Sequence, residues 1–304
     1  MMVAHIQGRI RALLKTKNAI LLAHNYQPPE IQDVADFCGD SLELSIKAAE
    51  TEAEVLVFCW VHFMAETASI LSPRKTVLLP RADAGCPMAD MVTPDALQTR
   101  IDSLPGVPVV TYVNSSAAVK ALSTICCTSA NAAEVVNSLE AKEVLMVPDR
   151  NLARNTAAQT DKRVHLWEGC CPFHDILTPE MVTAAKAAHP EAVFMAHPEC
   201  LPEVVAMADV AVSTSGMIRF ARDSAHQSFL VGTEVGMHYP LQKACPDKTF
   251  IMVSERMHCD DMKKITLDDV LRSLEDMHGE VRVPEAIRVP ALKAVERMIA
   301  VTAG

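Results

Sequence analysis

The strongest constraint on this chain's fold is that it repeats itself three times. Cys86 is followed seven positions on by Thr93-Pro-Asp-Ala-Leu, Cys171 by Thr178-Pro-Glu-Met-Val, and Cys259 by Thr266-Leu-Asp-Asp-Val. Cys171 lies 85 residues beyond Cys86, and Cys259 lies 88 beyond Cys171. Each threonine reads as a helix N-cap, with Pro at the first helical position in two cases and acids in the first turn of all three. Apolar runs "AILLAHNY", "VPVVTYVN" and "AVFMAHPE" recur in step and place His24, Tyr112 and His197 at their C-terminal ends. About seventeen residues further on, "GDSLELS", "CTSANAAEVV" and "STSGMIRFA" align Ser41, Ser129 and Ser215 near expected helix starts. A second run ("EVLVFC", "EVLMVP", "SFLVGT") and a third ("KTVLLP", "RVHLWE", "KTFIMV") complete each copy.

Five features in register predict triplication. Each copy reads helix–β–α–β–α–β, so the fold class is α/β: three homologous α/β/α units with short parallel sheets around a pseudo-threefold axis. Val, Leu and Ile with little alternation suit strands buried on both faces. The expected units are 1–92 (its repeat beginning near residue 8), 93–177 and 178–265. Residues 266–304 form a helical segment expected to pack back on them. In open α/β units ligands sit beyond the carboxyl ends of the strands. Those edges, turned inward, would gather chemistry from all three units into one central active site.

Composition narrows the partners. A net charge of −10 with 4% aromatic residues lacks the basic footprint and stacking rings of a nucleic-acid binder. The longest apolar run, "VLVFCWV", is too short to span a bilayer, and the N-terminal stretch reads as an amphipathic helix rather than a signal peptide. A cytoplasmic location without membrane partners is therefore expected. In that compartment the ten cysteines read as free thiols or metal ligands rather than disulfides. No Cys-x2-Cys pair occurs, so any metal site must collect thiolates from distant parts of the chain.

The repeat chooses between the adjacent Cys170 and Cys171. "CPMAD" at Cys86 aligns with "CPFHD" at Cys171, which leaves Cys170 as a neighbour with a packing role. Cys86, Cys171 and Cys259 can hold zinc or an iron–sulfur cluster with one coordination position open. The serines at helix starts offer anion binding through backbone N–H groups. His24, Tyr26, His174, His197 and Glu199 are the acid–base candidates.

The stretches "AHNYQPPEIQDVADFCGDSLELS", "VHFMAETASIL", "ADAGCPMADM", "TYVNSSAAVKA", "WEGCCPFHD", "MAHPEC", "GTEVGM" and "CDDMKKITL" resemble the quinolinate synthase (NadA) family along essentially the whole chain. The resemblance implies a [4Fe–4S] cluster on Cys86, Cys171 and Cys259, with one iron lacking a protein ligand and acting as a Lewis acid. It implies condensation of iminoaspartate with dihydroxyacetone phosphate to quinolinate, phosphate and water, in NAD biosynthesis. An aspartate-oxidising enzyme is then the expected source of iminoaspartate. Ser41 and Ser129 would grip the triose phosphate, and Tyr112 and Asn114 would orient the substrate chain. His197, Ser213 and Thr214 would hold the dicarboxylate. Proton transfers would fall to Tyr26, Glu199, His24 and His174, with His24 and Glu199 also touching substrate. Two departures stand out: Trp60 occupies a position where the family usually has Gly, and "HCDDM" lacks the second cysteine that some relatives carry for a regulatory disulfide. A hydro-lyase with a three-cysteine cluster and a cluster-based redox sensor are the rival readings. The first would not need phosphate-binding helix starts, and the second would tolerate a closed site.

Overall fold

The structure is a computed structural model that describes residues 2–302. Among them, twelve strands form three sheets of four, all parallel. The first sheet holds β1 (Ala19–His24), β2 (Phe37–Gly39), β3 (Val55–Cys59) and β4 (Thr76–Leu78). The second holds β5 (Val109–Tyr112), β6 (Ile125–Cys127), β7 (Glu143–Val147) and β8 (Arg163–Leu166). The third holds β9 (Val193–Ala196), β10 (Val210–Ala211), β11 (Ser228–Gly232) and β12 (Thr249–Met252). The spatial order is the same in each: second strand, first, third, fourth.

The sequence pattern reads three strands per unit; the structure adds the short β2, β6 and β10. They run for only two or three residues, too few to show a hydrophobic period. Their pairing gives the repeat an exact physical register. His24 faces Gly39 and Tyr112 faces Cys127. Ala196 faces Ala211, so His197 and Val212 occupy the next step.

Helices cover the sheets because the strands bury both faces; β3 is buried at all five positions. Thr93, Thr178 and Thr266 cap the helices Pro94–Asp102, Pro179–Ala188 and Leu267–Asp276, accepting the amides of Ala96, Met181 and Asp269. The first two units are stitched by the fully buried Lys120, whose ammonium donates to Phe63 O, Thr67 Oγ1 and Ser115 O at 2.8–3.2 Å. All three of its donors are thereby satisfied, which a buried ammonium requires. The chain after Asp276 returns to the first sheet, where Leu79 N–H donates to Gly279 O and Val281 N–H to Val77 O, each at 2.8 Å. Gly279 has φ +87°, and a Cβ there would stand 2.2 Å from Leu79 O. The last helix, Glu285–Thr302, packs on helix Ala117–Ala121 and on β6. No helix of the described residues is long and apolar enough to cross a membrane.

Candidate active site

With the order second–first–third, the sequence of connections reverses around the first strand of each sheet, and the cleft opens at that switch point. His24 ends β1, Tyr112 ends β5 and His197 follows β9. The side chains of all three line one cavity of about 40 Å³, together with Ser41, Ser129 and Thr214. A second cavity of about 60 Å³ is lined by Cys86, Cys171 and Cys259, with Pro87, Met88 and Phe63 among its apolar neighbours. Tyr26, Trp60, Asn114, Glu199 and Met262 line both. The two cavities are therefore the two sides of one site, one bearing thiols and the other hydroxyls and imidazoles.

A repeated backbone bond sets the thiol side. Three residues beyond each third strand, an amide donates to the carbonyl two residues before a cysteine. The pairs are His62 N–H to Ala84 O (2.9 Å), Arg150 N–H to Gly169 O (2.7 Å) and Val235 N–H to Met257 O (2.9 Å). The cysteines so marked are Cys86, Cys171 and Cys259, and Cys170 is out of step. Gly169 is needed at its place because a Cβ would lie 2.5 Å from Pro148 O.

A chain of short polar contacts links the two sides. Tyr26 Oη meets Thr233 Oγ1, which lies 2.9 Å from His174 Nε2. His174 Nδ1 stands 2.8 Å from Glu199 Oε2 and 3.1 Å from Cys171 Sγ. Cys171, His174 and Glu199 thus bring one ligand atom each within 4.8 Å of one another. Five buried side-chain polar atoms among the described residues have no hydrogen-bond partner; three of them, on Trp60, Asn114 and Glu199, belong to residues lining this site. Buried polar atoms are rarely left unpaired except where a ligand completes them.

A NadA family model, described as "Quinolinate synthetase A protein", matches residues 8–300. The chain belongs to the NadA family. It is 56% identical over 296 residues to a protein named quinolinate synthase from Geobacter sp. (strain M21), covering 97% of each chain. A quinolinate synthase of Geobacter metallireducens is 58% identical over the same share, and "Quinolinate synthase 1" of Methanosarcina acetivorans is 52% identical over 99% of each.

Within this NadA chain, burial governs the electrostatics. It pushes the Cys86 and Cys259 thiols up, to about 12 and about 11, and Cys171 well above its ordinary value. Glu199, then the Cys86 thiol and Asp149, add to the rise at Cys171. Such thiols are poor nucleophiles on their own, and only a metal supplies enough positive charge to hold three of them as thiolates. The donor set therefore fits a thiolate-ligated metal centre, and its apolar surroundings fit an iron–sulfur cluster.

On the other side, burial, reinforced by His197 and Lys263, drives the His24 pKa well below its usual value. Burial takes His197 down to about 3. Both rings are neutral at physiological pH. His24 Nδ1 accepts Tyr26 N–H at 3.1 Å and His197 Nδ1 accepts Glu199 N–H at 3.3 Å, which leaves each Nε2 as the N–H donor. Tyr26 and Tyr112 are held protonated by burial and by the charge on Glu199. Burial also opposes ionisation of Glu199, but His174 beside it and a hydrogen bond from Tyr112 outweigh it and hold the carboxyl below its usual range. Neutral N–H and O–H donors thus line the site beside the carboxyls of Glu199, Asp40 and, on the thiol side, Glu234. An acidic protein can bind anions there without a lysine or arginine.

The structure places the sequence candidates unevenly. His24, Tyr26, Ser41, Tyr112, Asn114, Ser129, His197, Glu199 and Thr214 line the central cavity, and His174 lines the thiol side. Ser213 does not: it lines a separate cavity of about 160 Å³, donates to Asp40 Oδ2 at 2.7 Å and caps helix Thr214–Asp223 at Gly216. The hydroxyl in register with Ser41 and Ser129 is Thr214, two positions beyond the residue opposite the strand end in each unit. Ser215, one residue further, instead bonds Asn25, Glu43 and the Asp40 amide. Ser129 precedes its helix, whose N-cap is Asn131. Trp60 fills the first unit's flank, its ring 3.8 Å from that of His24. Residues the sequence did not single out are Thr233, Asp149, Glu234 and Lys263, all close to the site.

Proposed function

We propose that this chain is a quinolinate synthase, condensing iminoaspartate with dihydroxyacetone phosphate to give quinolinate, phosphate and water. Cys86, Cys171 and Cys259 would hold a [4Fe–4S] cluster whose unligated iron supplies Lewis-acid polarisation of a substrate oxygen. The observation that carries the reading is the convergence of three register-matched cysteines, one per unit, on a cavity continuous with a wall of neutral donors. The family's named relatives support it.

Ser41 and Ser129 bind the phosphate group through their hydroxyls. His24 Nε2–H adds a donor at the same end. Tyr112 and Asn114 orient the carbon chain between the two cavities. His197 and Thr214 bind the dicarboxylate, and Ser213 sets the helix start from which Thr214 projects. Glu199, ionised and with one unpaired oxygen facing the shared wall, is the general base. Tyr26, kept protonated by burial, is the donor to a departing hydroxyl. Thr233 and His174 connect the two and pass the proton from Glu199 back to Tyr26. A cavity of about 40 Å³ has room for a few waters only, so the site must widen to admit both substrates.

The test is anaerobic. Purified protein is assayed for iron and sulfide per chain and then for quinolinate from the two substrates. About four irons with quinolinate formation is the expected result. A similar iron content without quinolinate would move the chain to the hydro-lyase or sensor class, and about one zinc would sink the cluster assignment.

A further inference from the structure

We propose that Asp149 and Glu234 are positioning residues that fix Cys171 and Cys259 for the metal centre, an inference that rests on the cluster reading above. The two acids occupy one position of the repeat, two residues beyond the third strand of their sheets. Asp149 is 2% exposed and Glu234 1%. Asp149 Oδ2 accepts Cys171 N–H at 3.2 Å, and Glu234 Oε1 accepts Cys259 N–H at the same distance. The first unit has Val61 at this position, which can accept nothing there. A carboxylate reaches that loop from elsewhere, because Asp261 Oδ1 accepts Gly85 N–H, next to Cys86, at 3.1 Å.

The three copies separate what belongs to the fold from what was added to it. The backbone bond that ties each cysteine loop to its own sheet occurs in every unit. The buried carboxylate on the cysteine amide occurs in two. In both, the remaining oxygen also meets donors alone. Asp149 Oδ1 takes the amides of Asn151 and Leu152 at 2.7 and 2.8 Å. Glu234 Oε2 takes Gly236 N–H at 2.8 Å and the Lys263 ammonium at 3.0 Å. An amide side chain would turn its NH2 against one of these donors, so the donor set selects a carboxylate at both positions, although burial and the charge on Glu199 push the Asp149 pKa up to about 8. A cluster with three protein ligands has one anchor fewer than a closed one. Holding the amide of two ligands rigidly keeps their sulfurs aimed while the fourth position exchanges.

The experiment compares wild type with Asp149→Asn, Glu234→Gln, the charge-retaining Glu234→Asp, and Ile10→Ala, a core truncation in the N-terminal helix. Each is loaded anaerobically, its iron and sulfide counted, and loss of the cluster absorbance followed under an iron chelator below the unfolding temperature. The carboxylate variants should shed the cluster about ten-fold faster or more. Glu234→Asp should do so too, because the shorter stem draws the oxygen away from Cys259. Ile10→Ala should lose it at the wild-type rate despite a lower unfolding temperature. Wild-type rates in the carboxylate variants, or equal acceleration in Ile10→Ala, would overturn the inference. A wild-type chain that takes up no iron or sulfide would instead overturn the cluster reading.

Discussion

The two sides of the site use the same repeat in opposite ways. On the thiol side all three units contribute the same residue, Cys86, Cys171 and Cys259, each two residues beyond the carbonyl that accepts the same strand-end amide bond. On the donor side the matched positions have diverged: His24, Tyr112 and His197 at the strand ends, and Ser41, Ser129 and Thr214 beyond them. A metal centre favours equivalent ligands, whereas two unlike substrates have no threefold symmetry to match. Divergence is therefore expected where substrate is read and identity where metal is held. Glu199 and Trp60 belong to both sides, and both carry polar atoms without protein partners.

The sharpest way to break this comparison is at the cysteine pair. Cys171→Ala should remove the cluster and reduce quinolinate formation to background, while Cys170→Ala should keep both; iron analysis and the anaerobic assay check the pair together. Activity retained in Cys171→Ala would end the symmetric assignment. Next in size is Glu199→Gln, which leaves the thiols untouched. It should lower kcat by about 10²- to 10⁴-fold with iron content unchanged, the range for losing a general base. Smaller again are the hydroxyls of the diverged wall. Ser129→Ala and Thr214→Ala should each raise one substrate's KM by about ten-fold, equivalent to a hydrogen bond to a charged group of about 1.5 kcal/mol. Ser129 should act on the triose phosphate and Thr214 on iminoaspartate. If both variants weakened the same substrate, the wall would not be divided as drawn.

How far the sequence could see follows the same division. The cysteine register was legible because identical residues recur with their helix caps, and the strand-end residues were legible because apolar runs precede them. The third hydroxyl was not: "STSG" offers Ser213, Thr214 and Ser215 in a row, and only the pairing of Ala211 with Ala196 selects Thr214. The short strands that make this pairing carry no period of their own. Thr233 was hidden because its equivalents, Trp60 and Pro148, share no chemistry with it. Asp149 and Glu234 differ in side-chain length, and Val61 breaks their series. Single-atom relationships of this kind become visible only once the strand ends are superposed. Trp60 is the clearest gain, since an unexplained bulky ring becomes the surface on which His24 packs.

The last effect concerns the donor side alone and needs no metal. His24 and His197 are neutral in the folded chain because burial depresses their pKa values, His197 to about 3. In the unfolded chain each takes up a proton near pH 6.5. Between those values each histidine binds more protons in the unfolded state, so its own contribution to stability falls as the pH falls, while the Asp149 carboxyl, pushed up to about 8 by burial and by Glu199, contributes in the opposite sense. Each histidine contributes a slope of about 1.4 kcal/mol per pH unit once the pH is well below 6.5. Urea unfolding of the apoprotein between pH 6 and pH 4 isolates the histidine share when wild type is compared with His197→Gln. His197→Gln should make the slope shallower by about one proton's worth, whatever it does to stability at neutral pH. The thiols cannot mimic the effect, because they are protonated in both states throughout this window. An unchanged slope in His197→Gln would mean that the ring is charged in the folded state, and the donor side would then bind anions by charge rather than by neutral donors.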